Sequence, residues 1–335
     1  MPKAPIKPSA AAAATGSYRA PAWLRGGHAQ TIFPYFLRRP VIHYQRERID
    51  TQDGDFWDLD WLPQPHAAPR APLVALFHGL EGSAESHYAL ALMAHLTAMG
   101  WCGVVPHFRG CAGEPNRQPR AYHSGDHEEI GAMLATLAAR REAGTPLFAV
   151  GVSLGGSALL NWLGRAGATA ERTLTAAAAV SAPLDLTAAG IAIGRGVNRI
   201  YTRHFLQTLK PKALAMEVRF PGLFDRRRLR AVRTMWEFDE AVTAPLHGFA
   251  GADDYWTRGS SKPWLAAIAV PTLVLNARND PFVPLRSLPA ADEVSEAVVL
   301  EQPATGGHVG FMTGSAPGRL DWLPRRLTTF FTTRR

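Results

Sequence analysis

The chain has 335 residues, 47% of them hydrophobic and 19% charged, which supplies a large core and excludes a disordered polymer. No window approaches the roughly 18 consecutive apolar residues that a membrane-spanning helix requires. The formal charge of +8 is spread along the chain, with no zinc-finger, basic-zipper or RNA-recognition signature beside it. Nucleic acid is therefore not expected as a partner, and contact with an anionic membrane surface is expected to be peripheral at most.

Residues 1–20 begin with Pro2, Pro5, Pro8 and a run of alanines. They make a poor secretory signal and read as a flexible leader. Residues 21–335 then form one domain. Stretches 41–50 and 55–63 predict two strands around Asp53-Gly54, a strong hairpin signal. From residue 72 short apolar runs alternate with helical stretches: 73–79, 102–110, 147–153, 174–183, 272–280 and 296–302. The runs are nearly continuous, as in strands covered on both faces, so the fold class is α/β with a mostly parallel sheet between helices. Helices are predicted up to a Gly100 cap, from Asp126 to Gly144, directly after Ser153, and from Arg319 to Phe331. Residues 185–260 break the rhythm with aromatics, arginines and prolines. They predict a helical insertion, read either as a lid over an apolar site or as plain core packing. Cys102 and Cys111 cannot build a disulfide framework, which fits a reducing cytoplasm.

The sharpest chemical signal is Gly151-Val152-Ser153-Leu154-Gly155-Gly156. A G-x-S-x-G string is weak alone, but here an apolar run precedes it and a helical run follows. That is the strand–turn–helix of a nucleophile elbow. A serine needs a base to take its proton, and the base needs an orienting carboxylate. Asp280 stands at the end of one strand run, and His308 lies in a glycine-rich turn after the last. The order Ser153, Asp280, His308 follows the nucleophile–acid–base order of such enzymes, with Asp185 as the rival acid. Backbone N–H groups of Leu154 and Leu80 are the expected donors to a developing oxyanion. His78 reads as a residue holding the Leu80 loop rather than as a base. Cys111 reads as a buried small residue, and His123 and His127 carry no zinc motif. Trp23, Gly27, His28, Gln30 and Thr31 form a polar-aromatic segment to which composition assigns no role. The chemistry requires neither cofactor nor metal.

Segments PAWLRGGHAQTIFP (21–34), FHGLEGS (77–83), HFRGCAGEPNR (107–117), YHSGD (122–126), GVSLGGSALLNWLG (151–164), APLHGFAGADDYW (244–256), PTLVLNARNDPFVP (271–284) and GGHVGFMTG (306–314) together resemble the YheT-like branch of the α/β-hydrolase superfamily. The resemblance runs from about residue 20 to the C-terminus. It implies an α/β-hydrolase domain, hydrolysis of small carboxylic esters or acyl lipids, and triad roles for Ser153, Asp280 and His308. A lipase or phospholipase, or a hydrolase-fold binding protein with a silent triad, is the alternative.

Overall fold

The apolar runs pair into one sheet because each can bury both of its faces. The computed structural model describes residues 17–63 and 70–334. Its strands are β1 (Gln45–Asp50), β2 (Phe56–Trp61), β3 (Leu73–Phe77), β4 (Cys102–Pro106), β5 (Leu147–Val152), β6 (Ala176–Val180), β7 (Thr272–Leu275) and β8 (Val298–Glu301). Their spatial order is β1-β2-β4-β3-β5-β6-β7-β8. The hairpin strand β2 runs antiparallel to β4, and from β4 to β8 every pair is parallel. β3, β5, β6 and β7 are buried throughout, whereas the edge strand β1 alternates and carries Arg46, Glu47 and Arg48. Charge on an edge discourages pairing with other chains.

A short α1 (Gly27–Ile32) precedes the hairpin, and longer helices cover both faces of the sheet. On one side α2 (His87–Met99) and the C-terminal α9 (Trp322–Thr332) pack Leu92, Met93, Leu327 and Phe330 onto the sheet. Phe331 stacks on Phe148 at 4.5 Å. On the other side α3 (His127–Arg140) and α4 (Leu154–Ala166) bury Ile130, Leu134, Leu159 and Leu163. The strands are shorter than the apolar runs that hold them, and other boundaries differ from expectation too. Residues 41–44 lie outside β1. α3 stops at Arg140, because Leu137 is the last buried residue of its apolar stripe, and the chain then turns through Gly144 at φ 81°. α9 starts only at Trp322, because Asp321 accepts a hydrogen bond from Thr313 (2.5 Å) and Arg319 bridges Thr313.

The expected leader lies, up to residue 16, outside the described residues. Tyr18 is already buried, its hydroxyl donating to Met312 O at 2.7 Å. The buried guanidinium of Arg109 meets Glu129, Asp55 and Asp53 at 2.7–2.8 Å and so ties the hairpin turn to α3. Such a charge tolerates burial only when paired in this way. Between β6 and β7 the chain forms α5 (Leu186–Ile193), α6 (Arg199–Arg219), α7 (Arg226–Ala231), a short helical segment over residues 235–246, and α8 (Ala252–Gly259). This insertion has its own apolar cluster around Leu206, Phe224, Leu229 and Phe238. Among the described residues no helix is long and apolar enough to cross a membrane.

Candidate functional site

The chain enters β5 from beyond β3, so loops after these neighbouring strands diverge and leave a crevice at their C-terminal ends. Ser153 stands there, between β5 and α4, at φ 53° and ψ −120°. Few non-glycine residues adopt such a backbone, and it persists where its surroundings over-determine it. Here Ser153 N–H donates to Val180 O at 2.9 Å, and Ser153 O receives Ser157 N–H at 3.1 Å. A Cβ at residue 155 would lie 2.5 Å from Phe77 O and His78 O, so the turn admits glycine only.

The structure brings Ser153, His308 and Asp280 together. His308 Nε2 is 2.9 Å from Ser153 Oγ, and His308 Nδ1 is 2.9 Å from Asp280 Oδ2. A carboxylate can only accept, so Nδ1 carries the ring proton and Nε2 is left to accept from the serine. Asp280 Oδ1 receives Phe282 N–H at 2.7 Å and Val283 N–H at 3.3 Å. The Phe282 ring lies 4.2 Å from the imidazole. Asp185 is elsewhere, capping α5 through Ala188 N–H at 2.9 Å.

The segment that sequence left unassigned builds the histidine's seat. His308 N–H donates to Thr31 Oγ1 at 2.9 Å, and Met312 N–H donates to Gln30 Oε1 at 2.9 Å. Asn279 Oδ1 accepts Gly307 N–H at 3.0 Å, and its Nδ2 donates to Arg25 O at 3.1 Å. Gly307 has φ 60°, and a Cβ on it would come within 2.5 Å of Gly27 O. The two glycine-rich strings therefore exist for each other. Thr31, Gln30 and Asn279 are candidate-site residues that no local pattern assigned; the strings GGHAQT and NARND are their visible trace.

The loop after β3 is held at nearly every polar atom. His78 is fully buried, its Nδ1 on Gly79 O at 2.8 Å and its Nε2 accepting Phe108 N–H at 3.2 Å. Burial pushes its pKa down to about 3, so it stays neutral and serves as a strut. Gly79 N–H donates to Tyr88 Oη (2.9 Å), Glu81 N–H to Tyr122 Oη (2.7 Å) and Gly82 N–H to Gly79 O (2.9 Å). Leu80 N–H has no acceptor among the described residues. Leu154 opens α4, so its N–H has no intrahelical acceptor either.

A cavity of about 320 Å³ opens on Ser153 and His308. Phe205, Leu209, Ala213 and Met216 of α6 line it, spaced to share one helix face, with Phe238 and Val242. Leu209 and Ala213 also belong to the insertion's own core, so one helix face both packs the insertion and lines the cavity. Cys111 is inert at neutral pH, because burial pushes its thiol up to about 12. His123 packs against His247 with ring centroids 4.5 Å apart, and burial pushes each down to about 3.

Asp239, on a π-helical turn in the cavity wall, accepts from Thr243 Oγ1 (2.6 Å) and Trp256 Nε1 (2.8 Å). Burial outweighs these hydrogen bonds and pushes its carboxyl up to about 6. The folded protein then holds a proton that the unfolded chain releases near pH 4, so this contribution falls as pH rises from about 4 to about 6. Thermal unfolding at matched pH should show a steeper loss of stability over that window in the wild type than in Asp239→Asn. Parallel curves would refute the assignment.

The chain has relatives among known proteins. A family model described as the alpha/beta hydrolase fold matches residues 72–315. The chain is 40% identical over 310 residues to "Putative esterase YheT" of Escherichia coli, covering 91% of this chain and 90% of that protein. It is 30% identical over 326 residues to "Phospholipase ABHD3" of Mus musculus, covering 94% and 78% respectively. A solved structure of the Pyrococcus furiosus esterase Pf2001 superimposes with a TM-score of 0.53 over 88% of this chain and 93% of that one. At 16% identity, that likeness is one of fold.

Proposed function

Because the chain belongs to the YheT-like branch of the α/β-hydrolase family and is a hydrolase, we propose that it cleaves carboxylic esters through Ser153, His308 and Asp280. The observation that carries this reading is the unbroken chain Ser153 Oγ–His308 Nε2 and His308 Nδ1–Asp280 Oδ2, each step 2.9 Å, opening on a cavity. Ser153 Oγ attacks the ester carbonyl while His308 Nε2 takes its proton. The N–H groups of Leu80 and Leu154 stabilise the oxyanion. As the tetrahedral species collapses, the alkoxide leaves with the proton from Nε2, and the acyl group stays on Ser153. A water that gives its proton to Nε2 then attacks the acyl carbonyl. Collapse of the second tetrahedral species returns that proton to Ser153 and frees the acid. Asp280 holds the imidazole in the one tautomer that can accept from serine.

The apolar face of α6 favours an acyl chain as the group in the cavity, with the insertion at about 185–260 acting as its lid. Two relatives bear the names "Phospholipase ABHD3" and "Monoacylglycerol lipase" of Saccharomyces cerevisiae, which supports acyl lipids as a substrate class. The test is a series of p-nitrophenyl esters from acetyl to palmitoyl, run beside labelling by a fluorophosphonate. Stoichiometric labelling at Ser153 is expected, with kcat/KM rising as the acyl chain lengthens beyond acetyl. A flat or falling series would remove the acyl-cavity reading. No labelling and no turnover at any length would favour the binding protein with a silent triad.

A further inference from the structure

The loop that carries Leu80 is joined to the insertion by the packing of Leu80 on its apolar cluster and by the carboxylate of Glu81. Glu81, the next residue, has φ 56°, a conformation costly for any side chain bearing a Cβ. Tyr122 holds it there in two ways: its hydroxyl accepts Glu81 N–H at 2.7 Å and donates to Glu81 Oε1 at 3.0 Å. The tyrosine is itself fixed by stacking on Phe108, with centroids 5.1 Å apart and planes 7° apart. The same carboxylate receives Lys212 Nζ, 2.9 Å from Oε1 and 2.8 Å from Oε2. The Glu81 side chain is only 8% exposed, whereas that of Lys212 is 46% exposed. Lys212 lies on α6 beside Ala213, within the stretch that roofs the cavity.

We propose that Glu81, Tyr122 and Lys212 are positioning residues that hold the Leu80 N–H on the oxyanion, so that seating α6 over the cavity also completes the oxyanion site. This rests on the ester-hydrolase reading above. Without Lys212 a nearly buried carboxylate keeps the Tyr122 hydroxyl and loses the one cation that pairs with it among the described residues, which drives it toward water. Its departure frees the Tyr122 hydroxyl and relaxes the positive-φ turn next to Leu80. The loss should fall on the transition state, where the oxyanion exists, and not on ground-state binding.

Full-length Lys212→Met, Lys212→Arg and Tyr122→Phe would be compared with wild type on p-nitrophenyl butyrate. A trifluoromethyl ketone, whose serine adduct carries an oxyanion, probes the oxyanion site. Fluorophosphonate counts the folded sites. Lys212→Met and Tyr122→Phe should lower kcat by ~10–100-fold, part of what loss of a whole oxyanion donor costs. KM should stay within about threefold, ketone affinity should fall in parallel with kcat, and Lys212→Arg should keep most activity. Unchanged kcat in Lys212→Met, a change confined to KM, or an arginine variant as damaged as the methionine one would overturn the proposal. Should Tyr122→Phe fail to fold, the half-exposed Lys212 pair still decides. A wild type that neither labels nor turns over would instead overturn the ester-hydrolase reading beneath it.

Discussion

Ser153→Ala is expected to reduce kcat/KM by at least ~10³-fold on whichever ester the wild type cleaves best, while the protein stays folded. Among the described residues, the only hydrogen bond of Ser153 Oγ is to His308. Removing it therefore deletes the nucleophile and leaves Asp280, the His308 seat and the Leu80 loop in place. The backbone at φ 53° is no harder for alanine than for serine, since both carry a Cβ. Residual turnover would come from the two oxyanion donors and from binding. Melting temperature and ester kinetics measured on the same preparation check both halves. A loss below tenfold would mean that another group attacks the ester.

The fold could be read from residue 72 onward because its strands are buried on both faces, and burial on both faces writes itself as uninterrupted apolar runs. β3, β5, β6 and β7 each fall inside a predicted run. Even the alanine-rich β6, made of weak strand formers, follows, because β5 and β7 pair with it on both sides. The helix ends were less legible. Where α3 stops depends on where the sheet beneath it stops offering apolar contact, and the start of α9 depends on Asp321 meeting Thr313. At the candidate site, Ser153, Asp280 and His308 could be put forward because each follows an apolar strand run, in the order nucleophile, acid, base. Their support was not. Thr31 reaches His308 across 277 residues of sequence, and Tyr122 reaches Glu81 from a loop without periodicity. Such contacts are set by tertiary placement, and the sequence shows only their shadow, as glycines where backbones must approach one another.

That same support makes the effect of changing the acid calculable. Asp280→Asn is expected to lower kcat by roughly 10⁴-fold, although it alters no shape. In the wild type the two carboxylate oxygens do different work. Oδ1 accepts the N–H groups of Phe282 and Val283, while Oδ2 accepts the proton on His308 Nδ1. An asparagine must keep its oxygen toward Phe282 N–H, because reversing the amide would set a donor against a donor 2.7 Å away. Its NH₂ then faces His308 Nδ1, which must become an acceptor. The ring proton moves to Nε2 and points at Ser153 Oγ, so the imidazole can no longer take the serine's proton. The side chain of Asp280 is wholly buried, so no solvent path lets the amide escape this choice. KM should change little, since the carboxylate stands behind the histidine and meets no substrate. Asp185→Asn serves as the control. It exchanges one carboxylate oxygen of the α5 cap for an NH₂ group, keeps an oxygen to accept Ala188 N–H and leaves His308 untouched, so kcat should stay within a few-fold of wild type. Steady-state kinetics on the two variants decide the matter. If Asp280→Asn keeps more than a tenth of wild-type kcat, or if Asp185→Asn is the more damaged of the two, Asp280 is not the acid that orients His308.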